Sequence, residues 1–133
     1  MRFMLDTDSC IVLIKRKPAK MLEKLTSHVP GDVGLSTVTL AELRYGVAKS
    51  TQKETNSRAL DEFLLPLEIA DFDTNAAVAY GQVRVTLEKA GTPIGPLHTQ
   101  IGAHAFSLGA ILVTHNMREF RRIPGLVVED WLT

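Results

Sequence analysis

Three carboxylates in this chain stand where an acid can act on a ligand rather than only meet water. Asp6 ends the short apolar run Phe3-Met4-Leu5 and is followed at once by Thr7 and Asp8. An acid delivered directly after a buried strand lies at the carboxyl edge of a sheet, where α/β folds place their sites. Thr7 and Asp8 are available to cap the helix that follows, which leaves Asp6 free to face the site. Glu42 lies one helical turn beyond a second short strand. Taken alone it reads as structural, because Thr39-Leu40-Ala41-Glu42 fits a capping box in which Glu42 bonds back to the Thr39 amide. Asn116-Met117-Arg118-Glu119 also fits a cap with a supporting acid, while Thr114 and Glu119 could equally reach a strand edge. What shifts the weighing is that these acids recur after the first, second and fourth expected strands. Carboxylates gathered at one edge repel one another unless a cation binds, and hard oxygen donors favour Mg²⁺ or Mn²⁺. The chemistry that uses such a cluster is metal-assisted phosphodiester hydrolysis, with the ion activating water and steadying charge on the phosphate.

The histidines do not suggest a site of their own. His98 falls in the first turn of the helix opened by Gly95-Pro96-Leu97, where unpaired amides favour an anion over an imidazolium. His98 and His104 are six positions apart, about 240° round a helix, so they cannot clasp one metal from one face. No HExxH, P-loop, GxGxxG or GxSxG occurs. His104, in an alanine-rich helix, reads as a packed histidine. The single Cys10 excludes an internal disulfide and a cysteine-based zinc site, and its apolar setting predicts a buried structural thiol.

Composition narrows the class. With 133 residues, 45% apolar and 23% charged, the chain reads as one domain over residues 1–133 that buries about 70% of its unfolded surface. Fifteen basic and fifteen acidic residues cancel, so net charge does not announce a nucleic-acid binder. The basic clusters Lys15-Arg16-Lys17 and Arg118 with Arg121-Arg122 read, taken alone, as solvated helix ends. No leader precedes the first strand, and no apolar run approaches the ~20 residues that span a bilayer. The expectation is a cytoplasmic protein with no membrane partner.

The elements that must position these residues alternate. Strands are expected at 3–5, 33–37, 67–72, 110–114 and 126–128. Helices are expected over about 9–16, from Pro18 with Met21, Leu22 and Leu25 on one face, at 38–48, through Leu60 to Leu64, from Asp73 to Gly91, at 97–108 and at about 117–121. The runs at 3–5 and 110–113 lack polar alternation, as strands of a parallel sheet covered on both faces do. The predicted fold is α/β, a three-layer α/β/α sandwich with a mostly parallel sheet of about five strands.

Set together, the segments Phe3-Met4-Leu5-Asp6-Thr7-Asp8, Ala41-Glu42-Leu43-Arg44-Tyr45-Gly46, Gly91-Thr92-Pro93-Ile94-Gly95-Pro96 and Val113-Thr114-His115-Asn116-Met117-Arg118-Glu119-Phe120 resemble the VapC toxins, which are PIN-domain ribonucleases. The ending Arg122-Ile123-Pro124-Gly125-Leu126 through Glu129-Asp130-Trp131 resembles them too, and the enteric-type group most. The resemblance implies the toxin of a type II toxin–antitoxin pair, an Mg²⁺-dependent endoribonuclease (Mn²⁺ also fits) acting on tRNA, with initiator tRNA as the implied substrate. It implies a homodimer and a VapB-type antitoxin whose tail covers the active site. Carried over by position, Asp6 and Glu42 match metal-binding acids, Asn116 stands where many such domains have a further acid, and Glu119 is the nearest carboxylate to substitute. Thr7, Thr114 and Arg44 fall among residues that would support the site or hold substrate. Arg44, Arg84, Arg118 and Arg121 are candidates for RNA phosphates by charge.

The departure is His98. The family pattern puts a metal-binding Asp there, and imidazole is a poor exchange for carboxylate on Mg²⁺. The expectation is therefore weakened or lost hydrolysis. Two other functions stay open: an impaired domain that binds antitoxin or RNA, and a non-toxin nuclease of RNA processing.

Overall fold

The computed structural model describes residues 1–133. Its order is β1 (Phe3–Leu5), α1 (Thr7–Lys15), α2 (Ala19–Thr26), β2 (Val33–Ser36), α3 (Thr37–Lys49), α4 (Lys53–Leu64), β3 (Glu68–Ala70), α5 (Thr74–Lys89), α6 (Pro96–Leu108), β4 (Ile111–Val113), α7 (Met117–Phe120) and β5 (Val128–Glu129). The five strands form one sheet in the order β3-β2-β1-β4-β5, and every pairing is parallel. The expected α/β sandwich is therefore found, with its sheet parallel throughout.

β1 is central and buried at all three positions. Phe3 and Leu5 face one side of the sheet, where they pack with Leu13, Met21, Val33, Leu35 and Trp131. Met4 faces the other, among Val83, Leu87, Ile101, Leu112, Phe120 and Ile123. Successive strand residues point to opposite faces, so an unbroken apolar run is what a strand with helices on both sides requires. Trp131 is 0% exposed and lies 5.5 Å from the Phe3 ring, so the last residues of the chain close the core around its first strand.

Some boundaries differ from the sequence reading. α1 begins at Thr7, two residues earlier than expected, because the cap is one residue further back. β3 stops at Ala70, since the Phe72 amide leaves the ladder and donates to Thr37 Oγ1 at 3.0 Å. β5 begins only at Val128, because the chain is still leaving the turn at Gly125 (φ +82), where the Leu126 amide bonds back to the Ile123 carbonyl at 3.3 Å. α3 runs through Gly46 unbroken to Lys49.

The sheet reverses its direction of growth at β1. The chain builds β2 and β3 on one side, then returns to place β4 on the other. The crevice outside the carboxyl ends of β1 and β4 is thus the switch point, where open α/β sheets take ligands. Leu5 is in register with Val113, so the residues that follow them, Asp6 and Thr114, open that crevice from both sides.

Candidate active site

Asp6 is the fixed point. It is 2% exposed, and its backbone amide donates to the Val113 carbonyl at 3.0 Å, continuing the β1–β4 ladder by one bond. Its side chain is itself the N-cap of α1, with Oδ1 accepting the Ser9 amide at 2.9 Å. This corrects the expectation that Thr7 or Asp8 would cap and leave Asp6 free. Asp6 does both tasks, because capping occupies one acceptor position of a carboxylate that has several. Burial raises its pKa above the ordinary range, and the hydrogen bonds from Thr114 and Ser9 work against that rise. Asp6 takes part in no ion pair, and neither does Glu42.

Glu42 is placed by α3. The sequence fitted it to a capping box on Thr39, but the cap is Ser36, whose hydroxyl oxygen accepts the Val38 amide at 3.0 Å. Freed from that duty, Glu42 Oε1 accepts the Thr7 hydroxyl at 2.6 Å, and Thr7 Oγ1 also lies 3.3 Å from Thr39 Oγ1. A strand residue supplies the cap because β2 runs into α3 without a loop. Sequence reasoning read the first hydroxyl that fitted the box spacing and passed over the one nearer the strand.

On the other side of Asp6 the contacts form a chain. Thr114, fully buried, bonds the Asp6 carboxylate and accepts the Asn116 amide at 2.9 Å. Asn116 caps α7 as expected, and its Nδ2 donates to Glu119 Oε2 at 2.6 Å. The same oxygen meets His98 Nδ1 at 2.8 Å, across from the N-terminus of α6. That hydrogen bond from His98 is the main reason Glu119 sits below the ordinary carboxylate range; burial opposes it, and Asn116 and Arg122 add to it. Asp6, Thr114, Asn116, Glu119 and His98 are thereby linked through adjacent hydrogen bonds, while Thr7, next to Asp6 in the chain, separately holds Glu42.

Arg44 does not join this network. It lies on the outer face of α3 and pairs with Asp61 of α4 at 2.7 Å. Arg84 is likewise engaged on its own helix, with Glu88 at 3.3 Å and the Tyr80 hydroxyl at 3.1 Å. Arg118 and Arg121 are exposed and carry no ion pair. Ser9 was missed by the sequence reading. Its amide is capped by Asp6 and its hydroxyl donates to the Val113 carbonyl at 3.1 Å, so it ties α1 to β4 directly behind the acid. The Asp6-x-x-Ser9 spacing carried that signal. His104 is packed, as expected: it is 1% exposed, pairs with Ser36 Oγ at 2.8 Å and meets Phe72 edge-on. Cys10 is buried, and burial pushes its thiol well up, away from reactivity.

Two carboxylates without basic partners suit a hard dication by donor type. Position 98 does not offer the same donor, since it presents an imidazole already bonded to an acid. No three carboxylate, imidazole or thiolate groups stand close enough together to hold an ion outright.

Comparison with known proteins places this arrangement. The PIN domain family matches residues 3–126. The tRNA(fMet)-specific endonuclease VapC of Salmonella typhimurium is 44% identical over 131 residues, covering 98% of each chain. Among solved structures, VapBC2 from Rickettsia felis bound to a promoter DNA fragment superposes with a TM-score of 0.94 at 41% identity, over 98% of this chain and 99% of that one. VapBC-1 from nontypeable Haemophilus influenzae gives 0.91 at 35% identity over the full length of both chains. The fold, the crevice at its switch point and these likenesses agree: the chain belongs to the VapC ribonucleases of the PIN-domain family.

Proposed function

We propose that this protein is the toxin of a VapBC pair and cuts tRNA with the help of a divalent cation bound at Asp6 and Glu42. The observation that carries the reading is Asp6, a buried carboxylate at the switch-point crevice with no cation of the chain to balance it. A buried ionised acid is costly unless paired or metal-bound. A relative of 44% identity is named for initiator tRNA, which favours that substrate.

The chain's own residues divide the work. Asp6 supplies a ligand that the Ser9 amide and Thr114 hold in one rotamer. Glu42 supplies a second, aimed by the Thr7 hydroxyl. Asn116 and Glu119 form the wall opposite, and Arg118 and Arg121 stand ready for phosphates on the rim. The bound ion supplies Lewis-acid stabilisation of charge developing on the phosphate and a water of lowered pKa. Thr114 and Ser9 are sealed from solvent, so they act by positioning rather than by touching RNA.

A partner surface fits the same reading. A cavity of about 480 Å³ lies between α1, α3 and α4, lined by Ile11, Ile14, Leu43 and Tyr45, and Thr7 and Glu42 stand at its edge. An antitoxin segment seated there would cover Glu42. A homodimer, as in the family, belongs to the proposal as well.

The test is tRNA cleavage with a divalent ion by the chain and by Asp6→Asn. Asn caps a helix as well as Asp, so the fold should hold while activity falls on the order of 10²-fold or more. No cleavage of tRNA with either Mg²⁺ or Mn²⁺, or cleavage indifferent to Asp6→Asn, would overturn the reading.

A further inference from the structure

We propose that the corner between α1 and α2, with Lys15, Arg16, Lys17 and Lys20, holds the RNA backbone away from the cut, so that the protein engages an extended polynucleotide rather than a single nucleotide. The inference rests on the reading above of a ribonuclease acting on tRNA.

Residues 15–24 carry five basic side chains, Lys15, Arg16, Lys17, Lys20 and Lys24, against one acid, Glu23, in a chain whose fifteen basic and fifteen acidic residues cancel. All five are exposed, and none forms an ion pair. A merely solvated helix end would be arranged to suit its helix, and this one is not. Lys15 does favour the C-terminus of α1. Lys17, however, is the one residue other than glycine with a positive φ, +47, and it follows the α1 C-cap, a position that favours glycine. Lys20 lies in the first turn of α2, where the helix dipole opposes a cation and no side chain caps the end. Lys20 and Lys24 stand one turn apart on α2, a like-charge spacing that weakens a helix. These positions hold cations at a cost to local stability, and a phosphate backbone is the ligand that offsets it.

The corner is joined to the site. α1 is capped by Asp6 and ends at Lys15, about 14 Å further along its axis. Lys15 lines the same cavity as Thr7 and Glu42, with Ile11 and Ile14 between them, so one surface leads from Glu42 to the cations. A mononucleotide at the crevice does not reach that far, whereas a polynucleotide does. Each phosphate it brings is held by charge without regard to the base. The corner therefore adds affinity for large RNA and adds no choice of sequence.

The probe is a fluorescently labelled, unmodified initiator tRNA transcript, bound by the full-length chain in EDTA so that no cleavage intervenes. Arg16→Gln, Lys17→Gln and Lys20→Gln together should weaken binding at least about 10-fold at low salt, and make log affinity less steep in log salt by about 2. Lys53→Gln, Arg58→Gln and Lys89→Gln, which remove as much charge elsewhere, should stay within about 2-fold of the parent. Lys17→Gly alone should weaken tRNA binding yet raise the urea midpoint, because glycine takes the left-handed turn without a Cβ. Unchanged tRNA binding in the first triple variant overturns the inference, as does no binding by the parent. Equal loss in the second triple variant also overturns it and makes net charge the cause. A lower midpoint in Lys17→Gly overturns it too, since Lys17 would then serve the fold. Loss of binding to phosphatidylserine vesicles, with tRNA binding unchanged, would give the corner to a membrane surface instead. If the parent cuts no tRNA when metal is added, yet the first triple variant loses tRNA binding, the corner stands and the hydrolytic reading falls.

Discussion

Thr7 donates its hydroxyl to Glu42 across 2.6 Å, which fastens the first turn of α1 to α3 one residue from the buried Asp6. The bond decides where a half-exposed glutamate points. Thr7→Val keeps the shape and removes the donor, so Glu42 is left to the solvent. Cleavage of tRNA should fall about 10–100-fold, the usual cost of removing a group that orients a ligand. Thr7→Ser should restore it. Activity kept in Thr7→Val and lost in Thr7→Ser would mean that the methyl group, not the hydroxyl, matters.

His104 ties the fold to pH. Burial lowers its pKa from 6.5, and the nearby Asp73 and Asp71 only partly offset that. The unfolded chain therefore takes up the proton first as pH falls below about 6.5. More protons are bound unfolded than folded in that window, so stability rises with pH across it and is lost on acidification. His104→Gln can still reach Ser36 and does not titrate. Urea denaturation between pH 5 and 7 should show a shallower acid loss for the variant than for the parent. Parallel curves would show that His104 is not the group responsible.

Two glycines separate a tolerable clash from an intolerable one. A Cβ at Gly34 would overlap the Glu68 carbonyl, which is backbone of the neighbouring strand, and the Met1 methyl. A Cβ at Gly102 would meet the tip of the Ile123 side chain, which can turn away. Gly34→Ala must part β2 from β3 and should cost about 3 kcal/mol or more. Gly102→Ala should cost about 1 kcal/mol or less, because alanine recovers about 1 kcal/mol of helix propensity in the middle of α6. Denaturation midpoints in urea measure both, and the reverse order would show that the β2–β3 contact yields more readily than the Ile123 side chain.

The fold was legible because its signals are local. The apolar runs at Phe3–Leu5 and Ile111–Val113 and the caps at Asp73 and Asn116 are written in adjacent residues. The acids were legible from their position after strands. What the sequence could not carry was competition between neighbours for one role. Thr7, Asp8 and Asp6 all suit an N-cap, and Thr39 and Ser36 both suit the next one, so only the path of the backbone chose between them. The His98–Glu119 bond spans 21 residues, and Arg44 was assigned to the site by charge although it faces the opposite direction on its helix.

The pairing of β1 with β4 has a consequence for the order of events during synthesis. Asp6 is translated well before its partners Val113 and Thr114, and before the Trp131 that closes the core over Phe3. Contacts so distant in sequence form only once both ends exist. A chain ending at residue 110 should be unfolded and inert, with no helical signal by circular dichroism beyond that of isolated segments; a cooperative melt of that fragment would contradict this. A site that joins Asp6 to Thr114 and Asn116 exists only once the whole stretch between them has been made.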